Sequence, residues 1–284
     1  MLATFVIGLR EGLEAALIVG IVAAFLRQRG RADALRLVWI GVAVAIAICL
    51  AVAAGLQIVS ANLPQAQQEG LETIVGLVAV GMVTYMVVWM RRHARSLKRN
   101  LEDAASSALA EGTAWALVAM AFLAVMREGL ETAVFLLAAF NASGSPLAAG
   151  FGATLGIVVA VGIGYGIYRG GVRLDLARFF RLTGLVLVLV AAGLVATALH
   201  TAHEAGWLDV GQAQLVDLSA VMTPGSIQAA LLTGVLGMQP RPTVIETLGW
   251  LIYLVPMALY VAWPQVRPSR PVVARTTVAE AQDR

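Results

Sequence analysis

Charge is what this sequence has least of. Only 13% of its 284 residues are Asp, Glu, Lys or Arg, about half the share of a soluble domain. Sixty per cent are hydrophobic, and the mean hydropathy is +0.83. That composition excludes an ordinary water-soluble domain and fits a polytopic membrane protein. Cysteine is nearly absent: Cys49 stands alone inside an apolar run, which rules out an intrachain disulfide. Lysine is nearly absent too, with nineteen Arg against the single Lys98, a bias that hints at a GC-rich bacterial host. No basic stretch precedes the first apolar segment, which is therefore read as a mature membrane helix rather than a cleavable signal peptide.

What is abundant is long apolar runs. Segments able to cross about 30 Å of hydrocarbon fall at 3–26, 36–59, 71–90, 114–140, 147–168, 182–200 and 246–264. Basic residues alternate between the connections. Arg27, Arg29, Arg31 and Arg36 follow the first segment, and Arg91, Arg92, Arg95, Lys98 and Arg99 the third. Arg169, Arg173, Arg178 and Arg181 follow the fifth, and Arg267, Arg270, Arg275 and Arg284 the seventh. The intervening loops hold only Arg241. The positive-inside rule then predicts an outside N-terminus and a cytoplasmic C-terminus. The net charge of +3 faces anionic lipid and cytoplasm, so membrane lipid is the expected partner and nucleic acid is not. Residues 91–113 read as a short amphipathic cytoplasmic helix and 265–284 as a disordered tail. Residues 201–245 form the largest outside loop, in which 227–238 is apolar but too short to span, hence interfacial or re-entrant. On the fifth segment, Gly152/Gly156 and Gly162/Gly166 have the spacing that lets helix backbones approach closely.

The few charges inside the apolar runs are arranged twice in the same way. Arg10-Glu11-Gly12-Leu13-Glu14 returns as Arg127-Glu128-Gly129-Leu130-Glu131, with a partial copy at Gln68-Glu69-Gly70-Leu71-Glu72. On a helix the Arg and both Glu fall within an arc of about 100°. Segments 1 and 4 run in opposite directions in the predicted topology. Two three-helix halves, about 1–90 and 114–200, would therefore form an inverted repeat, with one extra helix at 246–264 completing a membrane domain of 1–264. Such repeats place the substrate site near the midplane, between the halves.

An ionised side chain at the bilayer centre costs roughly 2.5–3.5 kcal/mol. A salt bridge that only glues the bundle would account for one Glu per Arg, and it leaves a second Glu in each motif unmatched. The excess is negative, so a cation is the expected guest. Carboxylate oxygens are hard ligands suited to iron, manganese, magnesium or calcium. Met82, Met86 and Met90 share a helix face, but such a stripe is more often packing than a soft-metal path. Crowded carboxylates also bind protons, so exchange with protons is chemically available. The candidate ligands are Glu11, Glu14, Glu128 and Glu131, with Arg10 and Arg127 orienting them. Toward the outside, Glu69 and Glu72 begin segment 3, while His200, His203 and Glu204 share a face at the end of segment 6. These could collect a metal ion at the mouth or simply be polar helix ends. Asp209 and Asp217 read as ordinary loop charges.

Paired Arg-Glu-x-x-Glu motifs in the first and fourth of seven helices resemble the oxidase-dependent iron permeases, in both their yeast and bacterial EfeU-like branches. The resemblance covers nearly all of 1–264. It implies uptake of ferric iron across the cytoplasmic membrane of a bacterium, the metal being supplied by an extracytoplasmic oxidase or binding protein and passing the motif carboxylates. Iron would be the substrate, with no permanently bound cofactor. Competing readings are a permease for another cation such as manganese or lead, a membrane diiron carboxylate enzyme, and a non-transporting iron sensor. Diiron bundles usually employ Glu-x-x-His, which this chain lacks.

Overall fold

The computed structural model describes residues 1–28, 30, 32–93, 114–142, 145–169, 175–218, 236 and 239–263. Most of 91–113, most of 227–238 and the whole tail 265–284 lie outside them, so the amphipathic helix, the re-entrant segment and the disordered tail expected there are not described. Among the described residues the chain is all-helical. It comprises α1 (Leu2–Gln28), α2 (Ala32–Ala61), α3 (Gln65–His93), α4 (Ala114–Asn141), α5 (Pro146–Tyr168), α6 (Leu176–Glu204) and α7 (Val244–Ala262). Each matches one apolar segment seen in the sequence, and α2, α3 and α6 run a turn or more beyond it. At 1.5 Å per residue, even the 19-residue α7 reaches nearly across a hydrocarbon layer. Five of them (α2, α3, α5, α6 and α7) are long and apolar enough to cross a membrane on length and composition. The other two, α1 and α4, are 27 and 28 residues long. They differ because any membrane-length stretch of either contains at least three charged residues, mostly those of the motif.

Large apolar side chains face outward along α2 and α5, among them Leu50, Phe151 and Val158. Without a hydrophobic drive between helices in lipid, close packing has to hold the bundle, and small residues supply it. A Cβ on Gly152 would collide with the Met1 carbonyl oxygen and with Thr4 Oγ1 at 2.6 Å. One on Gly156 would collide with the Phe5 carbonyl oxygen and approach Leu9 N to 2.7 Å. Gly8 meets Ala153, and Gly164 meets Ala16. The contacts advance together along both chains, so α1 and α5 are parallel. On the other side of the bundle Gly41 meets Val118 and Phe122, and Cys49 meets Gly129, so α2 and α4 are parallel as well.

Helices α3 and α6, and α6 and α7, are antiparallel. Thr73 and Thr201 share a 2.7 Å hydrogen bond between α3 and α6, while Gly76 packs on Leu194 and Ala198 further along. Thr84 and Tyr253 hydroxyls meet at 2.8 Å between α3 and α7. The dominant pairings are α1–α5, α2–α4, α3–α6, α6–α7 and α1–α4. Their main core gathers Ile7, Val83, Phe135, Leu187 and Val188 from α1, α3, α4 and α6. Met86 belongs to that core, Met82 packs against it, and Met90 is buried beside Phe180, which is the packing role for the methionine stripe. After α6, residues 213–218 pair with 240–244 through a short antiparallel bridge, including Leu215 N–H to the Pro242 carbonyl at 3.0 Å.

The glycine contacts generate a paired test. Gly156→Ala is expected to lower the stability of the detergent-purified protein by about 1–3 kcal/mol, because the colliding atoms are backbone. Gly162→Ala, whose Cβ would meet nothing within 4 Å, should retain wild-type stability. Thermal unfolding followed by size-exclusion recovery would separate them.

Candidate metal site between the two motifs

The two charged pentapeptides come together. Helix α1 carries Arg10, Glu11 and Glu14, and α4 carries Arg127, Glu128 and Glu131, where these antiparallel helices pass each other. One carboxylate oxygen each from Glu11, Glu128 and Glu131 lies within 4.8 Å of the others. Glu11 is 1% and Glu128 5% exposed, and Glu14 is also buried. The sequence thus brought all four motif carboxylates to one place, across a helix interface rather than along one helix.

The motif glycines explain how the carboxylates are aimed. Gly12 faces α5, where a Cβ would lie 2.9 Å from Ala160 Cβ. Gly129 faces α2, where a Cβ would lie 2.6 Å from Cys49 Sγ. Glu-Gly-x-Glu therefore puts a close-packing surface on one side of the helix and two carboxylates on another. In the partial copy, Gly70 takes the Trp207 ring in the same way, with Cζ2 2.8 Å from a Cβ there.

The two copies differ in their arginines. Arg10 is fully buried: Nη1 lies 3.6 Å from Glu11 Oε1 and Nε 3.6 Å from Glu14 Oε1. Its guanidinium carbon also sits 5.8 Å from the centre of the Phe180 ring. The Arg127 side chain is 57% exposed and donates from Nε to Glu131 Oε1 at 2.9 Å, with Glu128 Oε1 at 4.0 Å. None of the three Arg10 nitrogens has a hydrogen-bond partner, and neither have both Glu11 oxygens, Glu14 Oε1 and Glu128 Oε2. Each such buried group costs about 1–3 kcal/mol if it stays unmatched. Buried polar atoms converging in this number point to an ion or water among them.

The outer candidates form a second group at the facing ends of α3, α6 and α7. Glu69 faces Glu204, Glu72 and His200. Glu72 Oε1 accepts from Gln68 Nε2 at 3.2 Å, and His200 Nε2 lies 3.5 Å from Glu204 Oε1. His203 points elsewhere: its Nδ1 donates to the Leu208 carbonyl at 2.7 Å, with Asp209 at 3.8 Å. Asp217 pairs with Arg241 at 3.5 Å. The sequence reading missed Glu246, which is 3% exposed and accepts from His200 Nδ1 at 2.9 Å. Its signal was present as Thr243-x-x-Glu246 before an apolar run, a capping box that the structure forms with both reciprocal bonds.

Comparison with known proteins finds relatives over most of the chain. The family model described as "Iron permease FTR1 family" matches residues 1–266. The chain is 45% identical over 261 residues to "Ferrous iron permease EfeU" of Yersinia pestis, covering 90% of this chain and 91% of that one. It is 44% identical over 269 residues to proteins of the same name in Shigella sonnei and Escherichia coli O157:H7, covering 93% of this chain and 96% of theirs. No solved structure matches the chain significantly.

The contact at Gly129 predicts a coupling. Gly129→Ala should destabilise the protein, and Cys49→Ala, which removes the sulfur it strikes, should recover part of the loss. The interaction energy expected from a thermal-stability double-mutant cycle is about 0.5–3 kcal/mol.

Proposed function

The chain belongs to the iron permease FTR1 family, and from that premise we propose that the carboxylates of the paired motifs are the site through which it moves iron across the cytoplasmic membrane. It is a multi-pass membrane protein whose relatives are named as transporters. The observation that carries the site is the meeting of Glu11, Glu128 and Glu131 inside an otherwise apolar bundle. Four carboxylates there oppose two guanidinium groups, and a hard cation is what balances the difference.

The seven-span topology is the reading that suits the helix directions. Parallel α1–α5 and α2–α4 with antiparallel α3–α6 and α6–α7 are the pairings of a chain that reverses at every connection. Exchanging α1–α3 with α4–α6 turns the α1–α5 pairing into α4–α2 and leaves α1–α4 and α3–α6 as they are, which supports an inverted repeat within 1–200, completed by α7 into a membrane domain of 1–264. One end of the bundle is basic. Arg27 donates to the Tyr168 hydroxyl at 3.2 Å, and Arg91 and Arg181 donate to the Trp263 and Ala262 carbonyls at 2.6 and 2.8 Å. We assign that end to the cytoplasm, the orientation the loop charges predict.

In this reading an ion arrives past Glu69, Glu72, His200 and Glu204, with His203 at the rim, and reaches Glu11, Glu14, Glu128 and Glu131 between the repeats. Ferric iron delivered by an extracytoplasmic oxidase or binding protein is the version the motif resemblance favours; the relatives' names specify ferrous iron.

Radioactive iron uptake into proteoliposomes tests the site, in a ferrous arm with ascorbate and a ferric arm with citrate. Glu128→Ala/Glu131→Ala should abolish uptake while the protein stays inserted and monodisperse; wild-type uptake by that variant would remove these carboxylates from the path. Arg10→Lys should also lower uptake severalfold. Arg10 addresses Glu11 and Glu14 through different nitrogens, and a lysine point charge cannot fork in that way.

A further inference from the structure

We propose that the two motifs, alike in sequence, divide the work: Arg10 is a fixed brace, and Arg127 is the exchangeable cation that occupies the carboxylates between ions. The proposal rests on the permease reading above and specifies how that site is loaded and emptied.

Three observations carry it. Arg10 has nowhere to go. It is fully buried, sits between Glu11 and Glu14, and lies beside Phe180. Moving it would leave a charge in apolar surroundings, which costs more than the pair is worth. Arg127 is the opposite, with more than half of its side chain exposed and one hydrogen bond to hold it. Finally, the carboxylates Arg127 addresses, Glu128 and Glu131, supply two of the three oxygens that converge, whereas one of the two Arg10 partners, Glu14, lies outside that trio. A cation bound by the trio and the Arg127 guanidinium therefore compete for the same two carboxylates. Two members of the trio, Glu11 and Glu128, also carry buried oxygens without a hydrogen-bond partner, so the competition takes place where a ligand is already called for.

The consequence is a site that never passes through a fully uncompensated state. An arriving ion displaces Arg127 toward its exposed side. When Arg127 returns to Glu131, it weakens the ion's hold and helps it leave. A transport site needs binding strong enough to load and weak enough to empty, and Arg127 supplies the second half.

The test compares Arg127→Gln, Arg127→Lys and Arg10→Gln in the full-length purified protein, using ferrous iron with ascorbate and ferric citrate as probes. Removing one partly screened charge about 4 Å from the ligands should tighten equilibrium iron binding by about tenfold. In proteoliposomes Arg127→Gln should lower both the half-saturating iron concentration and the maximal uptake rate. Arg127→Lys should restore the rate, because exchange requires a charge rather than a fork. Arg10→Gln should lower the thermal unfolding midpoint, which Arg127→Gln leaves in place. Binding by Arg127→Gln that is unchanged or weaker, or a midpoint lowered as far as in Arg10→Gln, overturns the division of roles while leaving the permease site standing. Wild-type protein that neither binds nor takes up iron in either arm would instead overturn the permease reading itself.

Discussion

The constraint on which this structure turns is the gathering of six ionisable side chains, four of them buried, where two apolar helices cross. Arg10, Glu11, Glu14 and Glu128 are all buried, and Arg127 and Glu131 complete the set. In water these groups would cost nothing to expose, whereas inside an apolar bundle each must be matched by a partner or by an ion. The ion pairs within each motif are too few to match the carboxylates, and at 3.6 Å the Arg10 contacts are electrostatic rather than hydrogen-bonded. The arrangement is therefore poor as structural glue. Replacing such a network with packed apolar residues is often neutral or stabilising, which supports the proposal that the cluster is there to hold an ion.

Packing serves that cluster. Glycine and alanine bring α1 onto α5 and α4 onto α2 at backbone distance. Those two parallel pairs leave α1 and α4 facing each other at the motifs. Gly12 and Gly129 turn their helices so that the close contact lies on one side and the carboxylates on another. The same glycine that makes the helix pack is thus what directs Glu11, Glu14, Glu128 and Glu131 inward. A larger residue would separate α1 from α5, or α4 from α2, and shift the carboxylates with the backbone. Rigid neighbours are what hold ligand oxygens close to one another without a bound partner to gather them.

Much of this was legible beforehand, for identifiable reasons. Hydrophobic run length located all seven helices, since a membrane span leaves few other ways to satisfy the backbone. Charged residues inside such runs stood out against their surroundings, which is why Arg10 through Glu14 and Arg127 through Glu131 were visible as a candidate site, whose carboxylates the fold brings together. Glu246 was missed because it lies at a helix start, where a carboxylate usually caps the backbone; it does that with Thr243 and also bonds His200. His203 looked equivalent to His200 from its spacing, yet its ring follows the turn after α6 to the Leu208 carbonyl. Above all, the unequal burial of Arg10 and Arg127 could not be read from two identical pentapeptides. It depends on neighbours such as Phe180, about 170 residues away in sequence, that only the fold brings together.

That inequality bears on which ion the site suits. With all four motif carboxylates ionised and both arginines in place, the cluster carries an excess of two negative charges, which a divalent cation neutralises. With Arg127 turned toward its exposed side, the excess rises to three, and a trivalent cation is then the neutral match. Protons shared among crowded carboxylates shift this balance further. The charge of the preferred ion is therefore not fixed by counting glutamates. It follows from where one guanidinium spends its time. Under the proposed exchange, a single mobile arginine would let the same four carboxylates accept either oxidation state of one metal while keeping the buried charge close to zero throughout.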